Sequence, residues 1–161
     1  ENLNYMSNIN SFNELCLDIF SPNKKNISLN KNLNYSVWGG IKDYFLPPII
    51  EENDFGIVSL HNKLVSHNLP GKFVTYVQFG LPVLSFSNKN AEISKIITKY
   101  KCGIFIDIDQ NVELNKNKIK IFLNNIKLNR KYYSENSYKV FENLFDLKNV
   151  KSKIENYILE G

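Results

Sequence analysis

The sequence predicts an α/β fold in which a parallel sheet is covered by helices on both faces, a doubly wound arrangement. Three observations carry that prediction. Apolar runs at residues 14–20, 35–38, 55–60, 82–86 and 103–107 are each too short for a helix and nearly continuous, as strands buried on both faces are. The later runs are separated by segments with helical spacing of apolar residues, so strand and helix alternate as in βαβ units. Beyond Asp109 the pattern is helical throughout. The chain has 161 residues, 43% hydrophobic and 22% charged, enough to bury a core, and a single domain over residues 1–161 is expected.

In residues 2–12, Leu3, Met6, Ile9 and Phe12 recur three apart and predict a short helix. The first strand follows at 14–20 and is stopped by the turn residues Ser21-Pro22-Asn23. A second, 35–38, closes on Gly39-Gly40. Pro47-Pro48 open a helical turn that reaches Asn53, since proline is favoured in the first turn of a helix. After the strand at 55–60, residues 70–79 place Phe73, Val74, Val77 and Tyr76 inward, between a proline start and a glycine stop at Gly80. The helix over 91–101 turns Ile93, Ile96, Ile97 and Tyr100 to one face, with Asn88 or Asn90 as its cap and Gly103 beyond its end. Helices over 112–128 (Leu114, Ile119, Phe122 and Ile126 inward), 130–144 (Tyr133, Val140, Phe141 and Leu144 inward) and 148–159 complete the chain, the terminal helices spanning about 130–159. No repeat and no linker divides it.

Composition narrows the function. No apolar run approaches the roughly 18 residues of a membrane span. Glu1-Asn2-Leu3 lacks the basic flank of a signal peptide, so neither segment is expected. A start without Met leads to the expectation of a fragment. Cys16 and Cys102, far apart and in apolar contexts, are expected as reduced, buried thiols of a cytoplasmic protein, with no disulfide or zinc spacing. The net charge of +4 comes from scattered Lys and the single Arg130, so nucleic acid is not the implied partner; phosphate-bearing ligands or an anionic membrane surface fit equally. Asn is abundant, 25 of the residues, but apolar side chains recur between them, which argues for compositional bias rather than disorder.

Ligands of open parallel sheets bind at the carboxyl ends of the strands, where the following helix starts are natural anion sites. The loops to inspect are therefore 39–43, 61–72, 87–90 and 107–111. The second is richest: it holds His61, Lys63, His67 and Lys72, with Pro70-Gly71 opening a helix. Backbone N–H groups over 71–74 would face a phosphate and Lys72 would add a point charge. The plainer reading is that Pro70 only starts a helix. His61 and His67 have no third ligand nearby, so no metal is expected. Glu51-Glu52 with Asp54 reads as a solvated helix edge. Ser59 and Ser66 have His neighbours but no Gly-x-Ser-x-Gly elbow, and neither Gly-x-Gly-x-x-Gly nor the Walker A pattern occurs.

The stretch Gly40-Ile41, Asp54-Phe55-Gly56, Asn68-Leu69-Pro70-Gly71-Lys72, Tyr76-Val77-Gln78-Phe79-Gly80-Leu81-Pro82-Val83, Glu92 and Gly103 resembles the carboxyl-terminal domain of a GT-B glycosyltransferase. The resemblance is to family four and, within it, to bacterial enzymes that build O-antigen and capsule sugars. These typically show an Asp-x-Gly strand, a Pro-x-Lys helix start, a Tyr-x-x-x-Gly-x-Pro-Val turn and a Glu in the next helix. The tail Asn129-Arg130-Lys131, Glu135-Asn136-Ser137 and Phe145 resembles the family's closing helices. The resemblance spans about residues 15–159.

It implies a Rossmann-like domain that binds a nucleotide-sugar donor and a hexosyl transfer that needs no metal and no cofactor. The base would pack near Gly40, Ile41 and Lys42. The diphosphate would lie over Leu69, Pro70, Gly71 and Lys72, with the ribose near Thr75. The family's Glu-x7-Glu pair falls here, aligned through Gly80, on His67 and Thr75. His67, with Lys72, is therefore the candidate for a catalytic role, and a structural loop residue is its other reading. The domain's opening strand, which in the family lies mid-sheet and precedes basic residues near the diphosphate, has no clear counterpart, so an open slot in the sheet is expected. A lipid-linked or lipopolysaccharide acceptor would be bound through a missing amino-terminal domain, in the cytoplasm, with peripheral contact at the inner membrane face. Without that domain the isolated chain is expected to be inactive; the alternative readings are a non-catalytic α/β binding module and an inactive remnant.

Overall fold

The computed structural model describes residues 15–21, 34–42, 45–61, 63–65, 68–107 and 109–159. The helix expected over 2–12 and the candidate His67 lie outside them. The elements are β1 (Cys16–Phe20), β2 (Asn34–Trp38), α1 (Leu46–Glu52), β3 (Gly56–Ser59), α2 (Gly71–Gln78), β4 (Val83–Phe86), α3 (Glu92–Tyr100), β5 (Gly103–Ile106), α4 (Val112–Leu144) and α5 (Leu147–Leu159). The chain divides into two compact units, Glu1–Ile49 and Ile50–Gly161. The described strands form two sheets, β1–β2 in the first unit and β3–β4–β5 in the second.

In the first unit β1 and β2 run parallel, in register from Cys16 opposite Asn34 to Phe20 opposite Trp38. Successive side chains point to opposite faces. Leu17 is buried and Ile19 half-buried, whereas Cys16, Asp18 and Phe20 are exposed. Asn34, Ser36 and Trp38 lie on the same exposed face. This corrects the expectation of a buried Cys16: the polar Asp18 sets the phase of the strand, and Cys16 shares its face two residues away.

The second unit is an α/β fold: a Rossmann-like, parallel three-stranded sheet flanked by helices, as the sequence predicts. Parallel neighbours require crossovers, and α2 and α3 supply them. All four residues of β4 are buried, so the central strand is covered on both faces. Phe73 and Val77 of α2 and Ile93, Ile96 and Ile97 of α3 pack with Val58, Val83, Ala91, Cys102 and Val140 in one core. The buried hydroxyls of Ser85 in β4, Ser87 just after it and Ser94 in α3 satisfy one another in a chain. Ser94 Oγ donates to the Asn88 carbonyl at 2.7 Å. It therefore accepts from Ser87 at 2.9 Å, and Ser87 in turn accepts from Ser85 at 2.8 Å.

The expected break between the helices at 112–128 and 130–144 is a kink within α4, where Asn129 leaves helical geometry (φ −134°, ψ 35°). Arg130, the residue after the kink, donates from Nη2 to the carbonyls of Glu51 at 3.0 Å and Asn53 at 2.6 Å at the end of α1. Leu114 is half exposed instead of inward. The reason lies next to it: Asn115 turns into the protein and donates from Nδ2 to the Asp107 carbonyl at 2.8 Å, which rotates Leu114 out. Neither Asn88 nor Asn90 caps α3. Ala91 holds the cap position, while the Asn88 side chain accepts from the Asn90 N–H.

Two glycines are dictated by close approach. At Gly80 (φ +66°) a side chain would be strained and would meet the Tyr138 ring. At Gly103 an added Cβ would run into the Val83 carbonyl of the neighbouring strand, which cannot move without breaking the sheet. At Gly71, by contrast, nothing lies within 4 Å of that position. Gly103→Ala is therefore expected to destabilise by about 1–3 kcal/mol or more, and Gly71→Ala to be neutral or stabilising by up to about 1 kcal/mol. Urea unfolding of the two variants beside the parent checks both.

Candidate functional site

The candidate residues fall in both units. Gly40, Ile41 and Lys42 belong to the first, directly after β2; Leu69, Pro70, Gly71, Lys72 and Thr75 belong to the second, at the start of α2. Lys42 is exposed, and its carbonyl accepts from the Phe45 N–H at 2.9 Å.

The start of α2 departs in part from the sequence reading, since two of the four N–H groups expected to be free over 71–74 are used within the helix. Pro70 takes the cap position with extended geometry (φ −61°, ψ 137°), and no side chain caps the helix. The N–H groups of Phe73 and Val74 donate to the Pro70 carbonyl at 2.9 and 3.4 Å. The two N–H groups ahead of them, of Gly71 and Lys72, make no hydrogen bond among the described residues. Gly71 and Lys72 are exposed, and the Lys72 ammonium is not in an ion pair with a described residue. Two open donors, a cation one residue into the helix and no acid in the first turn make the local field positive.

The start of α3 is the natural comparison, because it too carries no side-chain cap. Its first turn opens with Glu92, and its entering loop is committed to Ser94 and Ala91 through the Asn88 carbonyl. A carboxylate there repels an anion. The start of α4 is closed differently, by Asn111 Oδ1 accepting from the N–H groups of Glu113 and Leu114 at 2.8 and 3.3 Å. Among these three helix starts, that of α2 alone is uncapped and free of acid.

Thr75 lies one turn further along. Its hydroxyl donates to the Gly71 carbonyl at 3.1 Å, so the helix itself uses the proton that a ribose hydroxyl would otherwise accept. His61 is exposed after β3, and its Nδ1 accepts from the Lys63 N–H at 3.2 Å. No group of three or more His, Cys, Asp or Glu among the described residues is placed to hold a metal ion. No helix of the described residues is long and apolar enough to cross a membrane.

Two concavities of the second unit lie elsewhere. One, of about 320 Å³, runs between β5 and α4 past Ile104, Phe105, Ile121 and Phe122; the other, of about 400 Å³, lies under Arg130 and Tyr138 beside Gly80. Neither is lined by residues 69–75. The α2 start is an open surface, where a ligand would be met by backbone donors rather than enclosed.

Cys102 is removed as a nucleophile. It is fully buried, and burial pushes its thiol up to about 12, so the reactive thiolate is suppressed at neutral pH. The folded protein should release one equivalent in a thiol titration with an aromatic disulfide, from Cys16, and a second only on unfolding. Two equivalents released at the same rate from the native protein would contradict this assignment. No protein-family model, curated protein or solved structure matches the chain.

Proposed function

We propose that the chain is the donor-binding, carboxyl-terminal domain of a glycosyltransferase of the GT-B type, which holds a nucleoside diphosphate sugar. The observation that carries the reading is the α2 start: an uncapped helix terminus whose first two N–H groups and lysine have no partner among the described residues, at the carboxyl end of β3 in a parallel sheet. The resemblance of Leu69-Pro70-Gly71-Lys72 and of the Tyr76 to Val83 turn to family-four transferases supplies the ligand class. In the transfer, the diphosphate leaves with growing negative charge. The N–H groups of Gly71 and Lys72 and the Lys72 ammonium would stabilise that charge where it develops, without a metal. The acceptor, a lipid-linked or lipopolysaccharide or capsule glycan, would be presented by an amino-terminal domain at the cytoplasmic face of the membrane.

The second reading, a non-catalytic α/β binding module, has one observation in its favour. Position 75, where the family carries a carboxylate, holds a hydroxyl bonded back to its own helix. A module of that kind would be indifferent to nucleotide sugars and would have a defined protein partner.

Thermal unfolding with uridine, guanosine, thymidine, adenosine and cytidine diphosphates tests the donor reading. A ligand at a hundred times its Kd stabilises by about 2.7 kcal/mol, a rise of several degrees in Tm. Lys72→Ala removes a charge-assisted contact of about 1.5–3 kcal/mol and should weaken binding about tenfold or more, while leaving the unliganded Tm within a degree or so. A cooperative transition that no nucleotide moves at millimolar concentration sinks the proposal.

A further inference from the structure

Strand β5 ends the second unit's sheet on one side, with β4 as its only hydrogen-bonded neighbour among the described residues. The register decides which of its backbone groups that neighbour uses. Val83 N–H donates to the Cys102 carbonyl at 3.0 Å and Ser87 N–H to the Ile106 carbonyl at 3.1 Å, so residues 102, 104 and 106 face β4. Gly103 and Phe105 face away, and their N–H and C=O groups have no hydrogen-bond partner among the described residues. Beyond them the Asp107 carbonyl is already spent: it accepts from Gln110 N–H at 3.0 Å and from Asn115 Nδ2 at 2.8 Å, which occupies both lone pairs. Sheet edges are commonly blunted by charge, proline or a bulge, and Gly103-Ile104-Phe105-Ile106, in unbroken register with β4, carries none of these. Beside this edge lies the concavity of about 320 Å³, walled by Ile97 of α3 and by Phe122 and Ile121 of α4, the last 60% exposed.

We propose that β5 pairs with β5 of a second copy of this chain, antiparallel across a two-fold axis, so that two three-stranded sheets join edge to edge. Hydrogen bonding selects the register. Outward-facing residues pair with outward-facing residues, which sets either Phe105 opposite itself or Gly103 opposite Phe105 of the partner subunit. The first arrangement also sets Gly103 against the spent Asp107 carbonyl. The second uses the N–H and C=O groups of Gly103 and Phe105 of both copies and needs nothing from Asp107. Charge agrees with the antiparallel direction. Each strand is entered through Lys101 and left through Asp107 and Asp109, so the basic start of one copy meets the acidic end of the other. Lys101 is exposed and in no ion pair with a described residue, and in this register it lies diagonal to the exposed Asp109 of the partner subunit, within reach of a long side chain. In-register parallel pairing would set like charges side by side. The pairing also covers the apolar wall that ends in Ile121, and it draws on none of the residues of the α2 start.

Sedimentation equilibrium of the full chain, from low micromolar to submillimolar concentration, should show a reversible monomer–dimer equilibrium that ends at twice the chain mass. Lys101→Asp, at a position whose left-handed geometry (φ 55°) aspartate accepts, and Asp109→Lys should each weaken the dimer about tenfold, because like charges then meet at both ends of the edge. An equimolar mixture of the two variants pairs opposite charges again and should restore the parent affinity, a rescue that a folding defect could not give. Ile121→Lys, at an exposed position, should weaken the dimer as well. Amide hydrogen exchange at Gly103 and Phe105 should slow as the concentration rises. A chain that stays monomeric over the whole range overturns the proposal. A dimer that Lys101→Asp, Asp109→Lys and Ile121→Lys leave unchanged, or one in which exchange at Gly103 and Phe105 ignores concentration, overturns it in favour of another surface. Weakening by both charge variants without rescue in their mixture overturns the antiparallel register.

Discussion

The burial of β4 on both faces is the constraint on which the second unit depends. A parallel strand with no solvent face demands apolar cover above and below, and crossover connections long enough to be helices. Phe73 and Val77 of α2 and Ile93, Ile96 and Ile97 of α3 meet that demand. The same constraint explains Gly103, because the Val83 carbonyl occupies the space where a side chain of β5 would begin. It also explains the serine chain. Ser85 is buried within β4, and an unbonded hydroxyl there would cost about 1–3 kcal/mol. The relay through Ser87 and Ser94 carries its hydrogen bonding to the Asn88 carbonyl at the end of the strand. One consequence reaches the candidate site: the loop after β4 is occupied with internal bonding, whereas the N–H groups of Gly71 and Lys72 at the start of α2 have no partner among the described residues.

Much of this was legible in local pattern. The apolar runs became strands in the second unit because β-rich runs of that length, set between glycine and proline, admit few alternatives. Pro70 and Gly80 bracket α2 within a residue or two. The kink at Asn129 was legible from the break between two phases of apolar spacing, although the structure makes it a bend inside one long helix. What could not be read depends on partners distant in sequence. Leu114 looked inward by its own periodicity; its exposure follows from the bond between Asn115 and the Asp107 carbonyl. The cap of α3 was sought in the nearest Asn, but Asn88 spends its side chain on its own turn.

The first unit shows a different kind of misreading. A five-residue strand with Leu17, Ile19 and Phe20 counts as an apolar run, and that count predicted burial on both faces. Asp18 in its middle was the contrary signal, since a charged residue at period two marks a solvent face. Taking that phase seriously would have placed Cys16 and Phe20 outside, and the register with β2 then sets Trp38 beside Phe20. The exposure of an aromatic pair is thus written in the alternation. Its immobilisation, through Nε1 and the carboxylate, required the structure.

Thr75 links the energetics of the α2 start to the ligand it would prefer. A carboxylate one turn into this helix would lower the positive potential that the open N–H groups and Lys72 create, and would oppose a diphosphate approaching the same turn. A neutral hydroxyl bonded to the Gly71 carbonyl removes that opposition and fixes the first turn. The same bond withdraws the hydroxyl proton from any ribose. Under the proposed donor reading, recognition would shift toward the charged phosphates at Gly71 and Lys72 and toward whatever holds the rest of the nucleotide. A site of this balance should tolerate change in the ribose more readily than loss of a phosphate, because the phosphate contacts draw on both the helix terminus and a full charge.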